Sequence, residues 1–108
     1  MKIIDDDRGG HAGGVAAILD IEERNKANKC LFTPAQLALA TQLSIRVAAA
    51  YNCRTFSPNY RETKIAVKAE NWRKSCQPEY SQLTRFCDAN GITCRRTASG
   101  ADIFEVKL

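Results

Sequence analysis

Five cysteines, a single histidine and three consecutive aspartates are the side chains here best suited to chemistry on their own. Nucleophilic catalysis needs a thiol or hydroxyl beside a base. The one imidazole, His11, stands in "DDDRGGHAGG", residues 5–14, among glycines that give it no rigid support. Asp5, Asp6 and Asp7 carry enough charge to attract Mg²⁺ weakly, but that stretch lacks the ordered scaffold on which catalysis depends. It is not a P-loop, because no Gly-Lys-Ser/Thr follows. With Asp5 and Asp7 as the first ligands of an EF-hand, the twelfth position falls on Ala16 instead of Glu. Cys30, Cys53, Cys76, Cys87 and Cys94 are odd in number and none is paired as Cys-x-x-Cys, so zinc is not expected. The expectation is free thiols, most of them small core residues, in a chain that is not an enzyme and uses no metal or cofactor. A carboxylate-only hydrolase, its acids brought together only in space, is the enzymatic alternative.

Charge offers a different kind of chemistry. Residues 1–24 hold three basic against six acidic side chains, net −3, whereas residues 25–108 hold thirteen against six, net +7. A basic body suits a polyanion and equally suits a solvated surface. No apolar run approaches the roughly 18 residues of a membrane span, so no membrane partner is expected. Three aspartates directly follow the short apolar start "MKII", with no longer apolar stretch and no small-residue cleavage site. Export is therefore not expected, and a reducing, cytoplasmic location is.

The elements that must position these charges follow from periodicity. Residues 1–13 read as a flexible acidic, glycine-rich arm and 14–108 as one small domain, long enough to bury a core without staples. Val15, Ile18 and Leu19 mark a first helix over 14–28. "FTPAQL" then supplies a strong helix start: Thr33 caps, Gln36 completes the capping box, Pro34 takes the first helical position, and Phe32 and Leu37 form a hydrophobic staple. The stretch 33–52 superficially reads as a helix-turn-helix. Its turn would fall near Gln42, where there is no Gly, Asn or Asp, so one continuous helix over 34–51 is expected, apolar nearly all round and central. Residues 53–61 read as a loop. Thr63, Ile65, Val67 and Ala69 alternate with Lys64, Ala66 and Lys68, which favours a strand. A short helix is expected at 71–75, and a longer one from Pro78 with Leu83, Phe86 and Cys87 inward. Gly91 suits the left-handed cap of that helix. "ITCRRTASGADIFEVKL" reads as a hairpin, strands 92–97 and 102–108, turning at "ASGA". The fold class expected is α+β, helices with a C-terminal β-hairpin.

This order of elements resembles the winged helix-turn-helix family over residues 34–108. The likeness is clearest in "LTRFCDANGITCRRTASGADIFEV", a helix, a Gly-Ile stop and a two-stranded wing. It implies a recognition helix over 78–89 that presents Ser81, Gln82, Thr84 and Arg85 to duplex DNA. Gln pairs well with adenine and Arg with guanine in the major groove. Arg95 and Arg96 on the wing, with Lys64, Lys68, Arg73 and Lys74, would meet phosphates, which position a protein and make affinity salt-dependent. Glu79 and Asp88 depart from this pattern by placing negative charge near the same face. The function implied is a small DNA-binding regulator, alone or as a homodimer, with Arg85, Arg95 and Arg96 on one shared surface. The alternative is a non-enzymatic protein-binding module or inhibitor that acts by covering a partner, since fold does not fix function. Read plainly, a helix followed by a hairpin is a common α+β arrangement in which Trp72, Tyr80 and Phe86 are core residues and "RR" is a solvated strand edge.

Overall fold

Alternation in two six-residue segments builds the centre of the molecule. In the computed structural model, which describes residues 23–70 and 74–108, β2 is Lys64–Ala69 and β4 is Asp102–Lys107, paired antiparallel with Ile65 opposite Val106 and Val67 opposite Phe104. Side chains on a strand point alternately to opposite faces. Ile65, Val67, Ala69, Phe104 and Val106 therefore form one buried face, and Lys64, Ala66, Lys68, Ile103, Glu105 and Lys107 line the other. Strand β1, Asn59–Tyr60, adds to the far side of β2, and β3, Thr93–Arg96, to the far side of β4. The result is a four-stranded antiparallel sheet in the order β1-β2-β4-β3.

Helices cover the apolar face of this sheet. Residues 23–29 are helical (α1), the described part of the first helix expected. Helix α2 runs unbroken over Pro34–Ala50, so there is no turn at Gln42. Its start forms as the residue types require: the Gln36 N–H donates to Thr33 Oγ1 at 3.2 Å, and the Thr33 N–H donates to Gln36 Oε1 at 2.9 Å. Asn52, at φ 55°, supplies the left-handed residue just past its end. Leu43 and Val47 of α2 are fully buried against Ile65 and Val67, as is Leu83 of α3 (Glu79–Asn90). Full burial of one such side chain is worth roughly 1.5–3 kcal/mol, so this cluster holds the two layers together. Gly91 caps α3 at φ 66°, and its N–H donates to Cys87 O. Ile92 follows it into the core.

Several expectations need correction. Helix α2 is not buried all round: Ala38, Thr41, Gln42, Ile45 and Ala49 are exposed, because a helix layered on a sheet keeps one side in water. Small alanines let that side look apolar in sequence while exposing little area. The segment 53–61 contains β1, which a following Arg61-Glu62-Thr63 turn folds onto β2. Lys74 and Ser75 are not helical, and the rest of the short helix expected at 71–75 lies outside the described residues, as do Trp72, Arg73, His11 and the arm. All five cysteines are free, as expected, but only Cys87 is buried; Cys30 and Cys94 are exposed. The fold is α+β with a C-terminal hairpin.

Candidate functional site

On α3 the apolar residues Leu83 and Cys87 fix the inward side, with Tyr80 and Phe86 half-buried beside them. Ser81, Gln82, Thr84 and Arg85 are therefore all exposed. Two of their hydroxyls already have local partners. Ser81 Oγ lies 2.8 Å from Gln77 Oε1, and Thr84 Oγ1 donates to Tyr80 O at 3.0 Å. Glu79 and Asp88 share this helix with Arg85, so its water-facing side carries no positive excess. Arg46 of α2 stacks over Phe86, 4.6 Å from the ring centroid, which ties that cation to the protein.

The hairpin does not present its two arginines together. Arg95 and Arg96 are successive residues of β3, so they leave opposite faces of the sheet. Arg96 lies opposite Asp102 on the helix-covered face, with Nε 2.9 Å from Oδ1. Asp102 is buried and also accepts a hydrogen bond from the Tyr51 hydroxyl just past the end of α2. Burial pushes the Asp102 carboxyl up, but Arg96 and Tyr51 outweigh it and hold the group below the usual aspartate range. Tyr51, buried against that carboxylate, is pushed far above the usual phenol range. This linkage fastens the hairpin to α2 and pairs Arg96 with a carboxylate on the helix-covered side. Because Arg95 and Arg96 leave opposite faces of the sheet, they do not share one surface.

Arg95 joins a different set. Across the sheet's open face, Arg95, Ile103 and Lys68 stand on one rung, Thr93, Glu105 and Ala66 on the next, and Lys107 and Lys64 on the third. Antiparallel sheets commonly leave one face to water, and here that face is basic. A shallow groove of about 470 Å³ runs over it, edged by Phe56, Asn59, Arg61, Lys64, Lys68 and Arg95 and floored by Ala66, Ile103 and Glu105. Four cations thus surround one carboxylate. Glu105 is 6% exposed despite pointing to the solvent side. Its Oε2 lies 2.8 Å from Lys64 Nζ and 3.4 Å from Arg95 Nε. Lys64 above all, against the opposing effect of burial, and then Arg95 hold the Glu105 carboxyl below its usual range. A second polar cleft of about 660 Å³, between α1 and the β1–β2 turn, shares Asn59, Arg61 and Lys64 with this groove.

Of the phosphate-contacting residues expected, Lys64, Lys68 and Arg95 come together on the open face, and Ser81, Gln82, Thr84 and Arg85 lie on the helix side of the sheet. Lys74 is exposed in the connection before α3, which passes the end of α2 through the hydrogen bond from Cys76 N–H to Ala50 O. Arg61, Phe56 and Glu105 escaped the sequence reading. Glu105 was detectable in principle, since "DIFEVK" alternates and sets Glu105 on the same side as Ile103.

Between α3 and the hairpin a smaller cleft of about 200 Å³ is lined by Thr84, Cys87, Asp88 and Cys94, with Tyr80 and Phe104. Burial pushes the Cys87 thiol up to about 11 and also raises that of Cys94, so neither is an activated nucleophile. Among the described residues no group of three or more His, Cys, Asp or Glu side chains is placed to hold a metal ion. No family model, no curated protein and no solved structure matches the chain.

Proposed function

We propose that this chain is a small non-catalytic DNA-binding domain that grips the duplex through phosphate contacts on the open face of its sheet. The observation that carries this reading is the groove in which Arg61, Lys64, Lys68 and Arg95 surround the single carboxylate of Glu105. Sheets and β-ribbons enter DNA grooves in several binding modes, and clustered Lys and Arg on one surface are the electrostatic footprint of such proteins. The central position of β4 between β2 and the hairpin strand β3, with α3 preceding the hairpin, supports kinship with winged helix-turn-helix domains as part of the same proposal.

A second reading keeps α3 as the recognition helix, and the exposure of Ser81, Gln82, Thr84 and Arg85 favours it. Charge ranks it lower, because Glu79 and Asp88 oppose phosphate approach. The two are separated by titrating a fluorescent random-sequence duplex at low salt with two charge reversals. Lys68 is exposed and makes no ion pair among the described residues, so Lys68→Glu alters the groove without breaking a bond. We expect it to weaken binding at least tenfold while Arg85→Glu stays within twofold. The opposite ranking returns the interface to α3, and absence of binding by the unmodified protein removes the DNA reading altogether.

A further inference from the structure

We infer that Arg95 and Lys64 form a preorganised clamp for a phosphodiester group, held in position from below by the buried carboxylate of Glu105. This rests on the DNA reading above and assigns roles within its groove. Glu105 stands at the centre of the open face, between Ala66 and Thr93, whose small side chains leave its flanks free. Lys64 and Arg95 approach it diagonally from the strands on either side, and both reach the same oxygen, Oε2.

The atoms used are informative. Arg95 bonds through Nε alone, so both Nη groups remain without a partner among the described residues, at a side chain 57% exposed. A guanidinium anchored by one edge presents its other edge in a fixed direction, and that fork matches two phosphate oxygens. Lys64 spends one of its three N–H donors on Glu105 and keeps two. Lys68 lies two strands from Arg95 on the same rung, about 10 Å away by strand spacing, and so extends the path of the clamp. Glu105 is thus a positioning residue. It does not touch the ligand; it removes the rotamer freedom that Lys64 and Arg95 would otherwise lose on binding, which is the general advantage of preorganisation.

A clamp and simple charge counting predict opposite signs for the loss of the Glu105 charge. Glu105→Gln deletes a negative charge from a basic groove, so electrostatics alone predicts tighter binding to DNA. A clamp that has lost its anchor binds more weakly. The experiment measures fluorescence anisotropy of a labelled duplex with the unmodified protein, Glu105→Gln and Arg95→Lys, at several salt concentrations, with folding followed by circular dichroism. We expect at least fivefold weaker binding by Glu105→Gln. We expect a comparable loss with Arg95→Lys, which keeps the charge and removes the fork, and a salt slope unchanged in both because the count of cations is unchanged. Equal or tighter binding by folded Glu105→Gln overturns the clamp and leaves the DNA reading standing. If Glu105→Gln fails to fold, Arg95→Lys decides: affinity within twofold of the unmodified protein overturns the clamp. Failure of the unmodified protein to bind overturns both.

Discussion

Two acids on opposite faces of one strand govern how this domain responds to pH. Asp102 points toward the helices and Glu105 toward the groove, and each is ionised against a basic partner and nearly closed off from water. Both have carboxyls held below their usual values. A depressed folded pKa means that the unfolded chain takes up the proton first. The stabilisation is fully present above the unfolded value, about pH 4, and is lost as pH falls through the lower folded value. Urea midpoints should therefore stay level from neutral pH to about pH 5 and then fall steeply. Tyr51→Phe should cost about 1.5–3 kcal/mol at neutral pH, the range for a hydrogen bond to a charged group, and should flatten the acid limb. An acid limb as steep as that of the unmodified protein would separate Tyr51 from the titration of Asp102.

At the scale of elements, the stops and starts are chemically explicit. Gly91 ends α3 in the left-handed region, and a Cβ added there would meet nothing within 4 Å. Gly91→Ala should therefore lose only conformational energy, about 1–2 kcal/mol, without repacking; a larger loss in urea unfolding would point to a steric role. The same explicitness made much of the fold legible in sequence. The Thr33–Gln36 box, the alternation across 63–69 and the Gly91 stop each depend on residues within a few positions of one another. Strand β1 was illegible because two residues carry no period, and its existence depends on pairing with Ala66 and Ile65. The candidate site was half legible. Lys64, Lys68 and Arg95 were found by charge and Arg61 was not. The separation of Arg95 from Arg96 was already implicit in any hairpin reading, because adjacent strand residues face apart. What no local pattern revealed was which face the helices would cover, and so which arginine would pair with Asp102.

Across the whole molecule, one side of the sheet is spent on stability and the other is left for contact. The helix-covered side holds Leu43, Val47, Leu83 and the Tyr51–Asp102–Arg96 linkage, whereas the open side carries the basic groove. If DNA lies on that side, the number of cations it meets sets the salt response. Each neutralised phosphate contributes about −0.9 to the slope of log affinity against log salt. Engagement of Arg61, Lys64, Lys68 and Arg95 predicts a slope of about −3 to −4; a slope near zero would mean that the duplex is not held by its phosphates. The two borders of the sheet bear on a separate matter, how copies of the chain meet. On β1, the Tyr60 carbonyl accepts a hydrogen bond from Asn28 Nδ2, which blunts that border with a side chain from α1. The β3 border is four residues long and half arginine. A second copy zipping onto it about a two-fold axis would crowd four guanidiniums into one short ladder, a repulsion that natural sheets use to stay apart. Twofold pairing through this border is therefore disfavoured, which keeps the outer edge of the ribbon solitary.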